Sequence, residues 1–286
     1  MSTDNIPLPL IESLQKRRCV LFVGSGPSTA AGFPSWSALI DLLVEEARRL
    51  PQAITEGLEK FIEAKDLLTL ANFARSTLGK SRFFELLRDI FDREINFNQV
   101  PPVHQVIALT DYRAVITTNY DRLIESAFAR ERHSLPTVFT PDSISALANA
   151  LYRPDPFIFK LHGDIAASES LVLTEGDYDR LTFQSPHVRL FMHALFLSYT
   201  FLFVGYSLKD PDFRLILKEL NLVQLHFQDN SPMRYAFVPD AAAFEMDQLM
   251  QTMKIQAIPY SSENNHQELV QLLGELQQVI PFSMDT

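Results

Sequence analysis

The chain has 286 residues, 47% of them apolar and 21% charged, with a formal charge of −10 from 25 Lys and Arg against 35 Asp and Glu. That composition belongs to globular proteins and excludes a disordered or collagen-like chain; without a run of Lys or Arg, the acidic excess disfavours non-specific nucleic-acid binding. A single cysteine, Cys19, excludes an internal disulfide and the paired thiolates of a structural zinc site.

At roughly 150 residues per domain the length suits two domains or one large one with a subdomain, and the absence of a linker favours a single unit over residues 1–286. Asp4 comes early and Lys16, Arg17 and Arg18 late in the N-terminal stretch, the reverse of a secretion signal. Cytoplasmic residence is expected.

In chain order, helical spacing marks Leu8 to Lys16, and the apolar run Cys19 to Val23 is the first expected strand. From Trp36 to Pro102 the pattern stays helical, through Leu39, Leu42 and Leu43, then Leu67, Leu68, Leu70 and Ala71, then Phe83, Phe84, Leu87, Ile90 and Phe91. A crossover between parallel strands needs only one helix, so about residues 37–102 are read as a small inserted helical module, and the crevice beside it as a ligand site. Further strands are expected at Ala114 to Thr117, Phe157 to Leu161, Thr200 to Val204, Tyr235 to Val238 and Ile255 to Ile258, with a short extra one at Leu171 to Leu173. Between them fall helices at Asp121 to Arg130, Ser143 to Leu151, Pro186 to Ser198, Asp212 to Leu222 and Ala241 to Met250, with a last one from about Asn264 to Val279. Short uncharged strands alternating with helices predict an α/β fold, a Rossmann-like doubly wound parallel sheet. The charge-free stretch Leu190 to Leu208 is about as long as a bilayer span, but His193, Ser198, Tyr199, Thr200 and Gly205 interrupt it, so it reads as a helix followed by a buried strand.

Four strand ends carry glycine or small polar groups. The first runs into Gly24-Ser25-Gly26-Pro27-Ser28, with Ala31-Gly32-Phe33-Pro34-Ser35-Trp36 downstream; the second ends in Thr117-Thr118-Asn119-Tyr120-Asp121; the third in Lys160-Leu161-His162-Gly163-Asp164; the fourth in Gly205-Tyr206-Ser207, followed by Leu208-Lys209-Asp210-Pro211-Asp212. Open α/β sheets bind ligands at the carboxyl ends of their strands, and glycine there lets backbone approach a pyrophosphate. Singly each motif has a plain structural reading: a tight turn, an N-cap for Asp121, a hydrogen-bonding histidine, a helix start at Asp-Pro-Asp. Their convergence on one sheet edge is the informative feature.

In this order the motifs resemble those of the sirtuin family, and the resemblance covers the chain from Cys19 to about Val238. It is nearest to the prokaryotic sirtuin-like branch that hydrolyses NAD in anti-phage defence. Deacylases carry a four-cysteine zinc ribbon and a Pro-Asp-Phe-Arg sequence; here Cys19 is the sole cysteine and Pro34-Ser35-Trp36 stands in place of the latter. The resemblance implies NAD as substrate, with no metal. Asn119 would position the nicotinamide ribose and a water, His162 would be the general base, and Asp121 would hold the nicotinamide carboxamide. It implies a dinucleotide site from Gly24, Ser25, Gly26, Ser28, Pro34, Thr117, Gly205, Tyr206 and Ser207, with Asp240 as a poorer match on the adenosine side.

The activity so implied is hydrolysis of NAD to nicotinamide and ADP-ribose by an NAD-depleting effector of abortive infection. Two alternatives stay open: a non-catalytic module that senses NAD or ADP-ribose, and an NAD-dependent deacylase or ADP-ribosyltransferase. Because unchecked NAD loss harms the host, control through a homo-oligomer, a separate regulatory protein, or both is expected, with the inserted helices and the acidic C-terminal segment as contact surfaces. His104, His133, His187, His193, His226 and His266 are scattered without metal-ligand spacing, and Trp36 reads as packing.

Overall fold

The computed structural model describes residues 6–95, 99–208, 210–224 and 233–280; His226 and Asp285 lie outside them. Seven strands form one sheet: β1 (Cys19–Val23), β2 (Ala114–Thr117), β3 (Thr137–Phe139), β4 (Phe157–Lys160), β5 (Thr200–Val204), β6 (Arg234–Pro239) and β7 (Ile255–Tyr260), in the order β3-β4-β2-β1-β5-β6-β7. Every pairing is parallel. The chain winds outward from β1 through β2 to β3 and β4, then returns to add β5 on the other side of β1. That reversal puts a topological switch point between β1 and β5.

The two faces follow from the two-residue period of the strands. Val20, Phe22, Ile116, Phe159 and Phe203 face one core with helices α7 (Ile144–Ala150), α9 (Pro186–Ser198) and α10 (Pro211–Gln224). Leu21, Val115, Ile158, Leu202 and Tyr235 face the other, with α1 (Leu8–Gln15), α5 (Pro102–Leu109), α6 (Leu123–Arg132) and α12 (Glu263–Val279). A sheet covered on both sides explains why its strands are apolar runs rather than alternating ones. The helix α11 (Ala243–Met253) packs beside β7.

Between β1 and α5 lie α2 (Trp36–Arg48), α3 (Glu59–Glu63) and α4 (Leu67–Phe91), the last interrupted at Gly79. Ser35 starts α2 by accepting the Ala38 N–H at 3.3 Å. The core of these helices, around Phe33, Leu43, Phe83 and Leu87, continues into Tyr120, Leu123, Ile165 and Leu171. The inserted helices thus rest on the loops that leave β2 and β4. A short helix, α8 (Glu175–Asp179), joins them through Arg75, whose Nη1 lies 2.7 Å from Asp177 Oδ2.

The structure departs from the sequence reading at two places and bears it out at a third. Leu171 to Leu173 is a buried loop: the Val172 N–H is drawn to the His162 carbonyl at 3.1 Å, and the Leu173 N–H to Asp177 Oδ2 at 3.3 Å, so neither joins a ladder. The edge strand β3 was not foreseen. The stretch Leu190 to Leu208 is α9 followed by β5, and no helix among the described residues is long and apolar enough to cross a membrane.

His104, on α5, is fully buried, and neither ring nitrogen has a hydrogen-bond partner among the described residues. Burial pulls its pKa from 6.5 to about 4, against a smaller opposing pull from Asp121. The unfolded chain takes up this proton near pH 6.5 and the folded chain only near pH 4, so stability declines as pH falls through that window. The loss reaches about 3 kcal/mol at its lower end. Chemical denaturation between pH 7 and pH 4 should show His104→Leu with a shallower decline than wild type; equal slopes would refute this.

Candidate active site

Thr117 on β2 is paired in register with Lys160 on β4, and the Leu161 N–H continues the ladder to the Thr117 carbonyl at 2.8 Å. Asn119 and His162 each lie two residues beyond that pair, on the loops that leave neighbouring strands. Thr117 Oγ1 donates to the Val23 carbonyl at 2.9 Å and accepts the Asn119 N–H at 3.0 Å. It locks β2 to β1 and sets the turn that directs Asn119. That is a positioning role, distinct from contact with a dinucleotide.

The amide of Asn119 is oriented by its neighbours. Its Nδ2 donates to the Gly24 carbonyl at 2.9 Å and to Ser28 Oγ at 3.2 Å. A carbonyl only accepts, so the NH2 must face Gly24 and the oxygen must face away. Oδ1 is left buried with no hydrogen-bond partner among the described residues. A buried unpaired acceptor costs about 1–3 kcal/mol, which a hydroxyl or water donor would offset.

The glycines of the first and fourth motifs pack against each other. The Gly24 N–H donates to the Val204 carbonyl at 3.0 Å and the Gly26 N–H to the Gly205 carbonyl at 3.1 Å. Those two donors are therefore engaged at the switch point, and the close approach itself is what the glycines supply. Ser25 is half-buried and Ser207 exposed at the same edge. The Tyr206 ring joins an aromatic stack, 4.6 Å from Phe22 and 5.3 Å from Phe213. Half-buried Pro34 follows Phe33, whose ring is stacked on Phe91 and covered by the Arg93 guanidinium at 3.9 Å. Asp240 accepts the Ser262 N–H at 3.1 Å, tying β6 to the loop after β7.

His162 is 3% exposed and Asn119 6%. The His162 Nε2 lies 3.5 Å from Asp210 Oδ2, and the same carboxylate oxygen accepts the Tyr178 hydroxyl at 3.1 Å. The ring of Tyr178 meets His162 edge-on at 5.3 Å. Burial lowers the His162 pKa and Asp210 opposes that shift, so the ring is neutral at physiological pH, the form a base requires. Asp210 belongs to a motif that reads as a helix start in sequence, and it is also that, since its Oδ1 accepts the Phe213 N–H at 3.3 Å. Nothing in sequence singled out Tyr178.

Lys160 is fully buried and joins the loops that leave β2 and β4. Its Nζ lies 2.7 Å from Asp164 Oδ2 and 3.0 Å from Glu125 Oε1, and donates to the Asp121 carbonyl at 2.8 Å. Burial alone would lower its pKa, but Glu125 and Asp164 outweigh burial and leave it raised. Lys160→Met would strand two carboxylates, at a cost of about 3–5 kcal/mol. A large drop in melting temperature is expected, partly restored by adding Glu125→Gln; a melt unchanged from wild type would show that Lys160 does not join these loops.

Asp121 is 4% exposed and its Oδ1 accepts the Leu123 N–H at 3.0 Å, the helix-start role that competed with carboxamide binding. Leu123 also lines a cleft of about 350 Å³, together with Ala30, Ala31, Phe33 and Arg93. Asn119, Asp121 and His162 are not among the residues that line it. Among the described residues, no cluster of three or more His, Cys, Asp or Glu side chains is arranged to hold a metal.

The profile of the SIR2-like domain matches residues 113–258. The chain is 30% identical over 226 residues to a protein of Cytobacillus dafuensis named NAD(+) hydrolase ThsA, covering 78% of this chain and 42% of that one. It is 31% identical over 217 residues to the Enterococcus faecium protein of the same name, covering 74% and 42%. Similarity also extends to "Defense-associated sirtuin 2" of Bacillus subtilis, 26% identical over 218 residues, covering 75% and 20%. The chain thus spans about two fifths of the length of these NAD(+) hydrolase relatives.

Proposed function

The chain belongs to the SIR2-like family, and from that premise we propose that it hydrolyses NAD at the nicotinamide–ribose bond, in the cytoplasm, as part of an anti-phage defence. One observation supports the reading: the orphaned Asn119 oxygen and the buried His162 ring are carried on the loops that leave the adjacent strands β2 and β4. A dinucleotide ribose fits this pair, because its hydroxyls are donors for Oδ1 and its anomeric carbon is the centre a base-activated water attacks.

In the proposed reaction the bond from C1′ to the nicotinamide nitrogen breaks and its electron pair leaves with nicotinamide. Positive charge spreads over C1′ and the ring oxygen, and the uncharged amide of Asn119 holds the sugar without adding to that charge. The water oxygen bonds to C1′, His162 takes the water proton and later returns it to solvent, and ADP-ribose departs. Since both side chains are almost closed from solvent, the covering segments must shift to admit substrate. A near-closed resting site fits control by self-association or by a regulatory protein, which we include in the proposal.

The test is chromatography of NAD breakdown products across a range of protein concentrations, alone and with the product of any neighbouring gene. Release of nicotinamide and ADP-ribose in equal amounts is expected. NAD left intact in every assembly would contradict the proposal.

A further inference from the structure

Resting on that reading, we propose that Asp210 is a positioning residue that holds the proton of neutral His162 on Nε2 and so makes Nδ1 the basic atom. A carboxylate accepts and does not donate, so its charge favours a hydrogen on the ring nitrogen that faces it, and Nε2, buried without a hydrogen bond in this resting arrangement, has no other acceptor among the described residues. Asp210 reaches His162 from the far side of the switch point: it follows β5, whereas His162 follows β4, two strands beyond β1 in the sheet order. The loop after β5 therefore folds across the strand ends to bring the carboxylate within 3.5 Å of Nε2. That separation is longer than a good hydrogen bond and shortens once the ring gains charge, as active-site pairs do when substrate is engaged.

Tyr178 completes the arrangement from α8. Its hydroxyl donates to the same Asp210 oxygen at 3.1 Å while its ring walls His162. The charged and titratable groups around the histidine are thus Asp210 from the β5 loop and Tyr178 from α8, with Tyr120 and Tyr206 next to Tyr178 and Asp177 next to Tyr120. Of these, Asp210 alone is within ion-pair distance of the ring among the described residues. As the attacking water gives up its proton, the imidazolium that forms is stabilised by the adjacent carboxylate.

The variant Asp210→Asn separates this role from the structural one. Asn caps a helix about as well as Asp, so the start of α10 is retained, while the charge and the acceptor-only face are lost. Two readouts apply. Nitrogen NMR of labelled histidine, with the His162 signal identified by its absence in His162→Ala, should show an Nε2–H tautomer and a titration that moves to lower pH in Asp210→Asn. NAD turnover should lose about tenfold to a hundredfold in kcat with KM little changed, and its acid limb should move to lower pH; Asp210→Glu should recover part of kcat. Identical tautomer and titration in wild type and Asp210→Asn would overturn the proposal. If the titration moves but wild type consumes no NAD, the pairing stands and the NAD reading falls.

Discussion

On the proposed function, Asn119→Ala and His162→Ala are each expected to lower NAD turnover by at least about a hundredfold in an otherwise folded protein. The expected size follows from the two roles. Loss of a positioned proton acceptor costs about 10²–10⁴ in rate, and loss of an oriented polar group at a charge-developing centre about 10²–10³. The variants separate in stability. Asn119 donates to the Gly24 carbonyl and to Ser28 Oγ, so Asn119→Ala also loosens the contact between β1 and β2 and should melt lower. Asn119→Asp is sharper still: it keeps Oδ1 but turns a carboxylate oxygen toward the Gly24 carbonyl, so it should be inactive and less stable than Asn119→Ala. Nicotinamide release read beside circular dichroism checks both effects. Turnover equal to wild type in Asn119→Ala and His162→Ala would remove these residues from the chemistry.

The second large effect is structural. Gly205 has φ of +58°, and a Cβ there would lie 2.1 Å from Pro27 Cδ; a Cβ on Gly24 would lie 2.4 Å from the Gly205 carbonyl oxygen. The proline ring is held by backbone and cannot swing aside. Gly205→Ala therefore combines left-handed strain of about 1–3 kcal/mol with an overlap that only separation of the two loops relieves. Because these loops carry the Gly24 carbonyl that orients Asn119, stability and NAD turnover should fall together. Gly274→Ala is the comparison: it lies within α12 with nothing within 4 Å of a new Cβ, and should stabilise by about 1 kcal/mol. A thermal melt of Gly205→Ala within a degree of wild type would show that the loops are not packed this way.

The sheet was legible because its strands are short, apolar and evenly interrupted by helices; β1, β2 and β5 begin and end where the residues indicate. β3 escaped because three residues, Thr137 to Phe139, on the sheet edge have neither the length nor the burial to show a period. Leu171 to Leu173 misled for the opposite reason: an apolar triplet is buried under the inserted helices while its N–H groups find a carbonyl and a side chain in place of a neighbouring strand.

At the site, the motifs pointed to the strand tips but not to what each residue does there. Thr117 and Ser28 turn out to hold the Asn119 backbone and amide, and the glycine donors face the opposite loop. Asp210 and Lys160 stood within quoted motifs, yet their partners come from segments 32 to 48 residues away for Tyr178 and His162 and 35 residues away for Glu125. Such pairings are made by the fold alone and leave no mark in local spacing.

A crystal structure of the His162→Ala protein with NAD bound tests the central claim most directly. The account predicts the nicotinamide ribose beside Asn119, with a sugar hydroxyl or a water donating to Oδ1 and the space left by the imidazole next to C1′. NAD seated elsewhere, or a ribose facing away from Asn119 with Oδ1 still unpaired, would contradict it.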